Sequence, residues 1–398
     1  MYLTIMKPNA LPFVATLGRG LWIIEDSDYP ILVIKAGKEF ILAAREKRQL
    51  KIYLSPYESG ASSGITLLTA CFDDPVSPLI IKTPLIGGDP LTDALKNLPD
   101  EFSVCFFDEH NRELLGYKAQ ASLDRLRNHL ASRPALGREH WHPMMAKADE
   151  WFGATTRADD AEAISLDLLE ELFPSDFHIT DFTRQGFRGS QGYSYSLLER
   201  QEPGQFQEAD IIYLLQRAYT SERIIHGPLK VSDGEELVDI LIMGDETTVL
   251  VQAKDSPNTP ATLATTLDRK RRKSLSQLKE GLSQLRGAIS TIKREKNPAL
   301  KLKNGDLLDI DLTKKPLVGV VVVRELFIDT YEEYGSLILD FMDQNHIRVL
   351  AFDYNEFEVM TRHCPSEADL LSAFYQISEC ARERRIYPRL RFPDLPPR

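Results

Sequence analysis

The chain has 398 residues, with 48 Lys and Arg against 59 Asp and Glu for a formal charge of −11, and is 43% hydrophobic and 27% charged. That is the composition of a globular protein with room for two or three cores, and it excludes collagen-like, solenoid and disordered chains. The acidic balance excludes a general polyanion binder, so any nucleic-acid partner has to meet a local basic surface.

Four cysteines, Cys71, Cys105, Cys364 and Cys380, make no CxxC pair and are too sparse for a disulfide framework, which points to a reducing, cytoplasmic compartment. The first residues lack a basic segment followed by an apolar one, and the longest apolar run, Leu317 to Val323, is far short of a membrane span. Neither export nor a membrane partner is expected.

From Pro12 to about Ala121, short β-branched runs such as Ile31-Leu32-Val33-Ile34 and Ile65-Thr66-Leu67-Leu68 alternate with turn signals such as Gly87-Gly88-Asp89-Pro90. This predicts a β-rich N-terminal domain over 1–122, a barrel or a sandwich. Between 123 and 204 the pattern turns helical, including Ala163 to Leu169, and ends in a Gly-, Arg- and aromatic-rich loop containing Arg184, Arg188, Tyr193 and Tyr195. The stretch reads as a helical connector.

From 205 to 398 the reading is a helix (Phe206 to Tyr219), three strands (Arg223 to Val231, Glu236 to Met243, Thr248 to Ala253) and a long helix (Leu267 to Arg294). A strand (Leu317 to Val323), a helix (Tyr331 to Gln344), a strand (Ile347 to Phe352) and a last helix (Glu367 to Arg385) complete it. This α-β-β-β-α-β-α-β-α order describes an α/β domain, a mixed sheet flanked by helices.

Chemistry concentrates on two of these strands. The reading places Asp239 in the apolar middle of one, while Gln252 and Lys254 end the next, where the two-residue strand period gives them a common face. Such groups are expensive to bury unless they are paired or bind a metal, so their convergence on adjacent strands requires a reason.

At these residues the sequence resembles the PD-(D/E)XK nuclease superfamily, in the Gln-x-Lys variant of Mrr-type restriction enzymes, over about Phe206 to Phe352. The resemblance implies a restriction-endonuclease-like fold and a site of Asp239, Gln252-Ala253-Lys254 and, from the preceding helix, Glu208, with Glu236 a rival for the second acidic role. Val238 stands where the name-giving proline would be. Gln252 replaces the commoner acidic ligand, which implies a weaker metal site. Mg²⁺, with Mn²⁺ as substitute, would take oxygen ligands from Asp239, the Gln252 amide and the Ala253 carbonyl, with Glu208 outside. Lys254 would position the attacking water or neutralise charge on the phosphate.

Lys254 to Lys303 carries 13 Lys and Arg against 4 Asp and Glu, and Arg269-Lys270-Arg271-Arg272-Lys273 opens its helix. That run is a candidate phosphate-backbone track, with a solvated helix face as its plain alternative. Gln277 and Gln284 resemble the helix glutamine that several families of this superfamily place beside the metal. The implied function is a DNA-directed nuclease in prokaryotic defence, similar to Mrr-type and two-part Shedu-type enzymes, with RNA an open second substrate. Double-strand cutting by one site per chain implies a homo-oligomer, and the lack of a GxxxxGK[ST] motif means that translocation would need an accessory protein. The rival from another class is a nuclease-fold module that binds nucleic acid or protein without turnover.

Overall fold

The computed structural model describes residues 2–388 apart from 25–29, 61, 75–76, 133–135, 156, 176–178, 182–185, 191–193 and 296–297. Two short helices, α1 (Tyr2–Met6) and α2 (Leu11–Thr16), lead to the hairpin β1 (Gly20–Ile24) and β2 (Ile31–Lys35). Helix α3 (Lys38–Lys47) is followed by the meander β3 (Gln49–Ser59), β4 (Ser62–Cys71) and β5 (Leu79–Leu85). Helix α4 (Pro90–Asn97) precedes the hairpin β6 (Glu101–Phe107) and β7 (Glu113–Gln120). Helices α5 (Asp124–Ser132), α6 (Trp141–Gly153) and α7 (Arg157–Glu162) then lead to β8 (Ile164–Glu171).

All eight strands share one sheet, ordered β1-β2-β6-β7-β8-β3-β4-β5. A two-sheet sandwich is therefore not what forms. The edges of the sheet curl together, and the Leu21 N–H on β1 donates to Thr83 Oγ1 on β5 at 2.9 Å. Ala163 to Leu169, expected as helix, lies mostly in strand β8. Buried Ile164, Leu166 and Leu168 alternate with exposed or half-buried Ser165, Asp167 and Leu169, and this two-residue period inserts the segment between β7 and β3.

A hairpin of β9 (Ile179–Asp181) and β10 (Ser194–Ser196) brackets the Gly- and Arg-rich segment. Arg184 and Tyr193 lie outside the described residues, while the Arg188 N–H donates to Ile224 O at 2.7 Å.

The C-terminal half begins with α8 (Gly204–Leu215) and β11 (Ile224–His226). The strand expected to continue to Val231 breaks at Gly227, whose φ of +53° suits glycine, followed by Pro228. The chain resumes as β12 (Leu229–Lys230), then β13 (Ile240–Met243), β14 (Thr248–Lys254), the short α9 (Pro260–Leu263) and the long α10 (Leu267–Glu295). Strands β15 (Leu300–Lys301) and β16 (Leu307–Leu308) pair with β12 in a small separate sheet. The wholly apolar β17 (Leu317–Val323), α11 (Tyr331–Asn345), β18 (Arg348–Asp353), α12 (Tyr354–His363) and α13 (Glu367–Arg384) complete the chain. Helix α12 was not anticipated, although Asp353 and Glu356 form a capping box at its start.

The second sheet runs β11-β13-β14-β17-β18, with the first two pairings antiparallel and the last two parallel. Its central strands are buried on both sides, and α10 closes one face with Leu275, Leu278, Leu282, Leu285 and Ile289. Separate apolar cores form around the two sheets, so the chain is a mixed α/β protein. Among the described residues, no helix is long and apolar enough to cross a membrane.

The two halves meet through buried charge. Arg112, between β6 and β7, donates from Nη1 to Asp210 Oδ1 on α8 at 2.9 Å, and Arg200 Nη1 reaches Asp210 Oδ2 at 3.1 Å. Burial opposes the Asp210 charge, but Arg112, Arg200 and His110 outweigh it and hold the carboxyl well below its ordinary range. Lys38 on α3 pairs with Asp255 at 3.3 Å, and Arg324 pairs with Glu39.

Candidate functional site

The site is built where β13 and β14 run side by side beneath α10. Ile240 pairs with Val251, so Asp239, one step before β13, comes opposite Gln252. Asp239 thus stands at the mouth of the strand, not in its middle, and its carbonyl accepts from Gly227 N–H at 2.8 Å. Its carboxyl is fixed from the neighbouring strand, because the Ala253 N–H donates to Asp239 Oδ2 at 2.7 Å.

The buried Gln252 amide faces this carboxyl, 2.9 Å from both Asp239 oxygens and 2.9 Å from Gln284 Oε1 on α10. Turned with Nε2 inward, the amide donates to all three acceptors. Turned with Oε1 inward, it completes a cluster of oxygens that repel one another unless a cation lies among them.

Lys254 lies two residues on, on the same face, and its Nζ is 3.0 Å from Glu280 Oε1. The aliphatic stem passes under α10 at Gly281. A Cβ there would lie 2.7 Å from Val321 Cγ1 and 3.6 Å from Lys254 Cγ, so the missing side chain lets the helix sit close to the sheet above the lysine.

Glu208, on α8, does not touch Asp239. Its Oε2 is 2.6 Å from His226 Nε2, and Lys303 Nζ lies 3.0 and 3.1 Å from the two ring nitrogens of His226. Glu208 still acts through its charge. Burial is the main cause that pushes Asp239 up to about 6; Glu208 adds to it, against the Ala253 N–H and Lys254. Glu236 keeps an exposed edge, yet partial desolvation together with Asp239 and Glu208 pushes it up to about 7.

Asp239, Gln252, Ala253 and Lys254 are therefore brought together, Glu236 shares a hydrogen bond with Asp239 from the exposed side, Glu208 is held at the rim, and Gln284 joins from α10. Gln277, a candidate both for the place beside the metal and for a nucleic-acid contact, instead donates from Nε2 to Asp255 O at 2.7 Å and to Ser256 Oγ at 3.0 Å, anchoring the chain as it leaves β14. Gln284 is seven residues further along, two turns on the same helix face, and takes the position beside the carboxyl. His226 and Lys303 were not anticipated, since neither belongs to a recognisable spacing.

The basic run divides into paired and exposed cations. Lys270 is bonded to the nearly buried Asp73 of the N-terminal half at 3.2 Å, and Arg271 to Asp268 at 2.8 Å and to Asp329. Arg269, Arg272 and Lys273 are exposed at the helix start, with Arg272 Nε also donating to Asp268 O at 3.3 Å.

No protein-family model matches the chain, and no curated protein matches it. Among the described residues, no group of three or more His, Cys, Asp and Glu side chains is placed to hold a metal ion. A cation at Asp239 would therefore depend on amide and main-chain oxygens as well as on the carboxylate.

Proposed function

We propose that the C-terminal half is a metal-dependent nuclease of the PD-(D/E)XK type that hydrolyses phosphodiester bonds in DNA, in keeping with a role in prokaryotic defence. The observation that carries this reading is the convergence of Asp239, the Gln252 amide and Gln284 Oε1 within 2.9 Å contacts, with Lys254 following on the same face. The order of antiparallel and parallel strands around them is compatible with a restriction-endonuclease-like core.

The donor set suits a hard divalent cation: one carboxylate, an amide oxygen and the Ala253 carbonyl, with water completing its coordination. Mg²⁺ or Mn²⁺ held there would acidify a water and neutralise phosphate charge. Asp239 is prepared by the Ala253 N–H, which favours its ionised form. Lys254 supplies positive charge that favours ionised Asp239 and, released from the exposed Glu280, would bind a non-bridging phosphate oxygen and the charge developing on it. Glu208 and Glu236 add negative potential at the rim that favours cation entry.

A second reading is favoured by the neutrality of Gln252. With Nε2 inward it satisfies Asp239 by itself, as in a module that binds nucleic acid or protein without cutting.

The test incubates wild-type, Lys254→Ala and Asp239→Asn proteins with linear, supercoiled and single-stranded DNA and with RNA, in Mg²⁺, Mn²⁺ or EDTA. Wild-type cleavage lost in EDTA and in both variants is the expected result. Cleavage retained by Lys254→Ala in a clean preparation would sink the assignment, and metal-independent, salt-sensitive binding without scission would establish the second reading.

A further inference from the structure

We infer that the cavity between the two halves at the start of α10 is a binding site for a small organic phosphate of about mononucleotide size. The cavity measures about 400 Å³, within the roughly 300–1,000 Å³ of ligand and cofactor sites. One wall is a single face of α10, where Arg269, Lys270 and Lys273 are followed by Ser274 and Gln277 at steps of about one turn. Leu278 and Leu282 bury the opposite stripe of the helix on the sheet, which fixes where this face projects. The N-terminal half closes the other side with Asp73 and Leu79.

The acids lining this cavity are taken up by other cations. Lys270 Nζ holds Asp73 at 3.2 Å, Arg324 holds Glu39, and Glu325 acts on the same Arg324 guanidinium. Arg269 and Lys273 are left over: both are exposed, and among the described residues neither has an acidic partner. Two such cations, one helical turn apart on the wall of a cavity, raise the local potential and favour an anion there.

The chemistry of the ligand follows from these walls. An arginine fork matches two oxygens of a phosphate monoester, and a lysine ammonium binds a third as a point charge. Leu79, Leu263 and Phe327 offer apolar wall beside them, so the phosphate carries an organic body with an apolar or ring surface. Inorganic phosphate alone would leave that part of the cavity unfilled. Ser256 also lines the cavity, two residues past Lys254 and held by Gln277 Nε2 at 3.0 Å. An occupant therefore bears on the stretch of chain that leaves β14.

Titration calorimetry of the full chain with AMP, adenosine and inorganic phosphate tests the assignment without any cleavage assay, so its outcome is separate from that of the nuclease reading. AMP is expected to bind, and adenosine and inorganic phosphate each to bind at least about tenfold more weakly, because each lacks one half of the recognised chemistry. Replacing Arg269 and Lys273 together by Ala removes the two unpartnered cations and is expected to weaken AMP by at least about tenfold. Ala261→Phe keeps both cations and places a ring at the exposed rim of the cavity, and it is expected to weaken AMP by a similar factor. Thermal melting of both variants confirms that they fold. No heat with AMP at about 1 mM, adenosine or inorganic phosphate binding as tightly as AMP, or unchanged AMP affinity in the double variant would each overturn the assignment. Unchanged affinity in Ala261→Phe would put the phosphate on the open face of the helix, as for a nucleic-acid backbone, and would overturn the cavity as the site.

Discussion

Arg112 and Asp210 join the two halves of the chain through a 2.9 Å ion pair that is almost completely buried, two residues along α8 from Glu208. Arg112 is also held by Asp108 through Nε at 2.7 Å, and Asp210 is shared with Arg200. Removing one member of such a set leaves its partners charged and desolvated. Asp210→Asn is therefore expected to cost about 3–5 kcal/mol, read from a urea transition. A loss below about 1 kcal/mol would mean that water replaces the lost charge and that the halves are not sealed there.

Two glycines of α10 should respond in opposite directions to the same substitution. A Cβ at Gly281 would meet Val321 Cγ1 at 2.7 Å, and that valine is fully buried and stiff at χ1. A Cβ at Gly287 meets nothing within 4 Å. Gly281→Ala should destabilise by about 1–3 kcal/mol through overpacking, whereas Gly287→Ala should stabilise by about 0.5–1 kcal/mol through helix propensity. Chemical denaturation of both variants checks the pair. Equal signs would show that α10 does not lie this close to β17 above Lys254.

The metal-free protein should lose stability as pH rises through the range set by its raised acids. Asp239 moves from an ordinary 3.8 up to about 6, and Glu236 from 4.5 up to about 7. Between the unfolded and folded values the folded state binds more protons, so stability is highest on the acidic side of this window and falls as pH climbs through 6 to 7. Asp239→Asn removes part of this slope while keeping an acceptor for the Ala253 N–H. In EDTA it should melt higher than wild type at pH 8, by on the order of 2 kcal/mol, with the gap closing toward pH 4.5. A constant gap across pH would show that Asp239 titrates normally.

The alternation of apolar runs was enough to place α8, α10, α11, α13, β14, β17 and β18, which are long or buried in a regular pattern, but it ran one strand past Gly227, began β13 too early and missed α12. It failed at Ile164–Glu171, where leucine and isoleucine suited either period and only the partners β7 and β3 decide for a strand. Asp239, Gln252 and Lys254 could be singled out because polar groups in apolar strands are conspicuous. Gln284 could not be separated from Gln277 on composition, since both occupy one face of α10 and only the course of the chain after β14 assigns their partners. His226 and Lys303 are 77 residues apart and meet only because β12 and β15 pair.

That division of roles also separates two effects within the basic run. Lys270 is paired with Asp73, so Lys270→Ala should loosen the contact between the halves and lower stability while changing DNA affinity little. Arg269 and Lys273 are exposed and lie along the same helix start. Their double replacement by Ala should leave stability within about 0.5 kcal/mol. If DNA tracks this end of α10, the double variant should also reduce the slope of log affinity against log salt by about 2, one released counterion for each lost phosphate contact. Fluorescence anisotropy with a labelled duplex between roughly 50 and 200 mM salt measures that slope directly. An unchanged slope would move the DNA path away from α10 and leave the run as a solvated helix face.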